Sequence, residues 1–165
     1  MALTTQLDLI LKGVLTAAGP LGNTKEEVLP VDAGDRLANG TSANQADKVY
    51  AVSGTISSGT PLDLDLTALT DVFGVAVNMA EVVGFLLRNK STTATQTLTV
   101  GNAASNAWVA WQSGTTPAVV IGPEGCLLWW SPSDGAAVTG TTKVLRIAAS
   151  AASVAYEFII FGRSA

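Results

Sequence analysis

The stretch "PLDLDLTAL", Pro61 to Leu69, alternates leucine with aspartate. In an extended backbone successive side chains point to opposite faces, so Leu62, Leu64 and Leu66 fall on one side and Asp63 and Asp65 on the other. A helix would instead need apolar residues at a 3.6-residue period. The segment therefore predicts a strand with one face in a core. Paired carboxylates two residues apart can hold calcium or share acid–base work. Here the leucines take the core side, which leaves the two aspartates on a solvated face.

The same period of two runs through most of the chain. "TQLDLIL" places Leu7, Leu9 and Leu11 on one face. "KVYAVSGTI", "VVGFLLRN", "QTLTVGN", "AWVAW", "AVVIG", "CLLWW", "KVLRIAA" and "VAYEFIIFG" are short, rich in β-branched and aromatic residues, and bounded by turn formers. "SSGTP" (57–61), "SGTTP" (113–117), "GPEG" (122–125) and "SPSDG" (131–135) supply Gly or Pro where the chain must reverse. Only "ALTDVFG", Ala68 to Gly74, suggests a helical turn. About ten strands at spacings near ten residues predict a single all-β domain, an antiparallel β-sandwich of jelly-roll type. Residues 19–47 carry few strand signals and are expected to form an extended loop or N-terminal arm.

Composition narrows the function. The chain has 165 residues, and 48% of them are hydrophobic but only 13% charged, against about 25% in an average domain. A surface of hydroxyls, amides and methyls suits a protein packed against neighbours. The net charge is −4 and the nine basic residues are scattered, so no concentrated cationic face is expected for nucleic acid or an anionic membrane. No apolar stretch approaches the ~20 residues of a membrane helix. There is no histidine and one cysteine, which removes the commonest general base and any thiolate metal cluster. No catalytic set, cofactor site or metal site can be assembled, and the chain is expected not to be an enzyme. Cys126, in "GCLLWW", reads as a small buried hydrophobe.

Two groups of residues stand out as contacts. The polar lead-in "NGTSANQADKVY", Asn39 to Tyr50, offers Asn39, Thr41, Asn44 and Gln45 for hydrogen bonds to another subunit. Trp108, Trp111, Trp129 and Trp130 lie within one short region. On regular strands one member of each pair points away from the core. Subunit contact, packing and a sugar-stacking platform are all open uses for these indoles. Contact is the reading adopted here, with Trp111 and Trp130 as the outward pair. "NGT" (39–41) and "NKS" (89–91) match the glycosylation sequon, which has meaning only in a secreted chain.

The blocks "GTSANQADKVY", "LTDVFG" and "LTVGNAASN", with "VVIGPEGCLLWWSPSDGAAVT" and "VLRIAASAASVAYEFIIFG" after them, resemble a family of small virion structural proteins of tailed bacteriophages. The resemblance covers roughly residues 37–162. It implies a jelly-roll-like cement or decoration protein, made in the host cytoplasm and bound to the capsid exterior. The implied partners are the major capsid protein and sister copies, as a dimer or trimer. A head-fibre, tail or glycan-binding virion module is the alternative role.

Overall fold

The computed structural model describes residues 3–18, 24–114, 117–151 and 153–165, and among these every regular element is a strand. In chain order they are β1 (Thr5–Ala18), β2 (Thr24–Asn39), β3 (Gln45–Ala46), β4 (Lys48–Ile56), β5 (Leu62–Asp65), β6 (Leu69–Thr70) and β7 (Ala76–Val77). There follow β8 (Glu81–Asn89), β9 (Leu98–Gly101), β10 (Ala118–Ile121), β11 (Cys126–Trp130), β12 (Ala136–Ala137), β13 (Val144–Ala149) and β14 (Val154–Arg163). The larger sheet has the order β11-β8-β14-β4, with β12 also paired to β8, and the smaller sheet the order β10-β9-β13-β5. All pairings within these two sheets are antiparallel. The protein is an all-β sandwich.

Alternation places the core. From the smaller sheet Leu64, Leu98, Val100, Leu145 and Ile147 point inward; from the larger, Ile56, Phe85, Leu87, Val154, Phe158 and Ile160 do. Phe85 is the hub. Its ring lies 5.1 Å from Trp111 and 6.1 Å from Trp108, edge-on to both, and 6.0 Å from Trp129 in a stacked pose. Aromatic pairs at such separations add about 0.5–1.5 kcal/mol each beyond the area they bury.

On the outer face of the smaller sheet the two aspartates of "PLDLDLTAL" meet cations. Asp63 stands opposite Arg146 in the β5–β13 register and accepts two hydrogen bonds from it, from Nε and Nη2, each 2.7 Å. Asp65 accepts 2.6 Å from Lys143 Nζ. The bond from Arg146 holds the Asp63 carboxyl below the usual carboxylate range against a smaller upward push from burial. For Asp65 burial is the largest single influence and acts upward, but the bonds from Lys143 and Thr67 together outweigh it, so its value is also lowered.

Several sequence expectations change here. The segment expected as a loop over 19–47 is mostly strand: β2 pairs with β1 in unbroken antiparallel register from Thr5↔Leu37 to Ala18↔Thr24. Its Gly, Asp and Asn residues hide a strand whose hydrogen-bond partner lies about thirty residues or fewer away in sequence, a case of pairing overriding weak β-propensity. Residues 19–23 lie outside the described ones. Within "ALTDVFG", Leu69–Thr70 form β6 and the residues after them turn towards β7, the Asp71 carboxylate accepting from the Phe73 and Val75 amides at 2.9 and 2.8 Å. Such an Asx turn replaces the expected helical turn. "AWVAW" is not a strand, which is why Trp108 and Trp111 can both enter the core instead of facing opposite ways. Cys126 is exposed, at the start of edge strand β11.

Two outcomes follow from the core and the ion pairs. Trp108 Nε1 donates 3.0 Å to the Ala137 carbonyl, whereas the buried Trp111 Nε1 has no acceptor among the described residues. Trp108→Phe should therefore cost about 0.5–1.5 kcal/mol more than Trp111→Phe in urea denaturation, because only the first removes a hydrogen bond. Equal losses would contradict this account. Because the carboxyl values are lowered by folding, their contribution is present above the unfolded value of about 4 and is lost as pH falls below it. The urea midpoint should be flat from pH 7 to 5 and drop below pH 4, less steeply in Asp63→Asn.

Candidate interaction surface

The two outer faces of the sandwich differ in chemistry. The smaller sheet presents Asp63, Asp65, Lys143 and Arg146. The larger presents an apolar trough. In register across it run Ala51, Ile159, Leu86 and Leu128, and beside them Val49, Phe161, Gly84 and Trp130. The next row, Ser53, Glu157, Arg88 and Cys126, is polar. There Glu157 accepts 2.7 Å from Lys90 Nζ and lies 3.8 Å from Arg88; the bond from Lys90 holds its carboxyl below the usual range. An apolar centre with a polar rim is the anatomy of a protein–protein contact surface.

Trp130 fixes one end of this face. Its indole lies over Gly84, where any side chain would overlap the ring. It meets Phe161 edge-on at 6.1 Å and donates 3.0 Å from Nε1 to the Asp35 carboxylate of β2. Leu37, Ala46 and Val83 bury themselves beside it, with Leu3 and Phe161 packed against them. This small second cluster docks the base of the β1–β2 hairpin on the larger sheet.

Beyond that base the hairpin rises from the sheet. Along the alternate positions of β1 exposure climbs from 3% at Thr5 to 44% at Leu9 and 68% at Leu11. The result is a wedge-shaped cleft of about 430 Å³ between Leu7 and Leu9 on one wall and Leu86, Leu128, Ile159 and Phe161 on the other. Ile10, Val14 and Val28 are exposed on the same hairpin. A second apolar knob, Val72, Phe73 and Val75, projects from the β6–β7 turn, and Val72 lines a shallow hollow with Ala51, Leu86 and Ile159.

The residues expected as contacts are placed differently from their sequence reading. Trp111, 7% exposed, belongs to the core. Trp130 is half-buried and engaged inside the chain. Asn39 accepts 2.8 Å from the Leu3 amide, and Gln45 Oε1 accepts 3.0 Å from the Ser42 amide. Asn44 adopts a left-handed turn with φ 59°, and its amide donates 2.8 Å to the Pro132 carbonyl. The buried Arg163 guanidinium clamps this loop, donating to the carbonyls of Gln45 and Pro132 and to Glu81. The side chains of Asn39 and Gln45 thus accept from within the chain, whereas Asn44 is held by its backbone and, like Thr41, is exposed. Asn89 of "NKS" is fully buried, donating to the Gln96 carbonyl and accepting from the Ser91 amide. Sequence reasoning missed Leu86, Leu128, Ile159 and the distal hairpin, although "VVGFLLRN", "CLLWW" and "VAYEFIIFG" carry at most one charged residue each at their outward positions. That double-sided apolarity is the signal of a strand covered on both faces.

Among the described residues no group of three or more acidic or cysteine side chains could hold a metal ion, and no helix is long and apolar enough to cross a membrane.

Trp130→Ala should free the hairpin while leaving the sandwich folded. The expected readout is faster amide exchange over residues 5–14 and 26–37 with a stability loss of about 2 kcal/mol, below the range for a fully buried Trp. Unchanged exchange in the hairpin would remove Trp130 as its anchor. No protein-family model matches the chain, and neither a curated protein nor a solved structure matches it.

Proposed function

We propose that the protein is a non-enzymatic cement or decoration protein of a tailed-bacteriophage head, binding the outer surface of the capsid and stabilising contacts between major capsid subunits. The observation that carries this reading is the asymmetry of the sandwich: one outer face is ion-paired, the other is an apolar trough flanked by a projecting hairpin. A protein that acts alone in solution gains nothing from leaving Leu9, Ile10, Leu11, Val14 and Phe73 exposed. A protein that packs into a lattice covers them. The blocks similar to virion proteins and the low charge content point the same way.

The strand order supports the jelly-roll reading. Counting only the eight strands of the two large sheets other than β12, the larger sheet reads sixth, third, eighth, first and the smaller fifth, fourth, seventh, second. This interleaving is that of two Greek keys wound together. The hairpin of β1 and β2 would take the part expected of an arm over residues 19–47. Each copy would contribute a modest buried area, and repetition over a symmetric shell would make weak contacts collectively strong.

The alternative, a head-fibre, tail or receptor- or glycan-binding virion module, draws on the four tryptophans as a stacking platform. Trp108 and Trp111 are buried, and Trp129 and Trp130 are half-buried against the two apolar clusters, which lends that reading less support.

The proposal expects the protein in purified virions at hundreds of copies per particle. Particles lacking it should rupture at a lower temperature or a smaller osmotic step, with restoration by added protein. Virions without the protein, or depleted particles of unchanged strength, would refute the assignment.

A further inference from the structure

We infer that the open cleft between β1 and the larger sheet receives the distal hairpin of a second copy of this chain, and the second copy's cleft receives the hairpin of the first. The inference rests on the reading of the apolar face as a docking face and names its first occupant.

The complement of the trough is already present in the chain. Leu7 and Leu9 of β1 face Leu86, Leu128 and Ile159 across the cleft. Leu11 continues the same side of the strand and is 68% exposed, because the sheet of its own chain has fallen away beneath it. An identical copy offers the same apolar row to that continuing stripe.

Length agrees. Beyond Leu9 the hairpin extends over residues 10–18 paired with 24–32, a ribbon of about 30 Å at roughly 3.3 Å per residue. The strands that form the trough, β8 and β14, have 9 and 10 residues. The overhang therefore matches one full crossing of a neighbour's sheet.

Area selects the stoichiometry. A two-stranded ribbon of that length and about 10 Å width covers on the order of 300 Å² of trough and buries a like amount of itself. One such junction is too small for a stable complex, whereas two reciprocal junctions reach on the order of 1,200 Å², the lower bound of standard interfaces. The expected assembly is a two-fold dimer with the same patch used on both subunits.

Sedimentation equilibrium of the purified full-length chain tests this. The wild-type should be dimeric at micromolar concentration. Leu11→Asp, at an exposed position, should weaken the dimer at least about tenfold while leaving the circular dichroism spectrum unchanged. Leu128→Ala should weaken it from the cleft side. Val120→Asp, at an equally exposed apolar site on the other sheet, should have no effect. A monomer, a trimer, or a dimer indifferent to Leu11→Asp would overturn the exchange. The same variants added to depleted particles separate the two readings. A monomeric protein that still strengthens particles would leave the cement role standing with the capsid as sole occupant of the cleft. A hairpin-dependent dimer that never binds particles would leave the exchange standing and remove the role.

Discussion

The first half of strand β8, Val82 to Phe85, is buried on both faces, and most of the structure is arranged around that fact. Phe85 points inward to the hub of the aromatic core. Its neighbour Gly84 points outward and, by having no side chain, lets Trp130 lie against the strand. Val82, Val83, Gly84 and Phe85 are consecutive buried positions, which a half-exposed strand cannot be. The inner face organises the sandwich. The outer face organises the hairpin, because Trp130 reaches from β11 over Gly84 to Asp35 of β2. One strand thus connects the packing that makes the domain stable to the element that leaves it.

The hairpin is stable at its base and unsupported at its far end. A two-stranded ribbon in water is marginal by itself, and here the second cluster, the Trp130–Asp35 bond and the Asn39–Leu3 bond tie down its base. The exposure gradient along Thr5, Leu9 and Leu11 describes a lever: the farther from Trp130, the less of the apolar stripe is covered. The clamp around Arg163 has the opposite character. It holds the 40–45 turn, the 132–133 segment and the end of β14 together by hydrogen bonds from one buried guanidinium. A rigid knot therefore sits where the hairpin joins the sandwich, and a free ribbon extends from it.

Much of the architecture was legible in the residues. The alternation of leucine and aspartate over 61–69 placed β5 and told which side faced the core, and the limits of β4 and β11 coincide with "KVYAVSGTI" and "CLLWW". The candidate contacts were not legible in the same way. Trp111 was assigned outward on the assumption of a strand that the chain does not form, and a turn carries both indoles inward. Gln45 looked available because a sequence lists polar groups without their partners, and its partner, the Ser42 amide, is set by the turn; Asn44 gives its backbone amide to the Pro132 carbonyl and stays exposed. Strand β2 escaped notice because its Gly, Pro and Asp residues lower its propensity, while its stability comes from registry with β1.

By itself, then, the sequence determined the all-β class, the strand phase and the low charge of the surface, since side-chain period and composition are local properties of the chain. Which apolar residues remain uncovered was decided only by the tertiary structure. Leu86, Leu128 and Ile159 are no more hydrophobic than Leu64 or Ile147. They line an open cleft because Trp130 anchors the hairpin at one end of the sheet and the ribbon rises away from it at the other, and that is a property of distance between residues nearly a hundred positions apart.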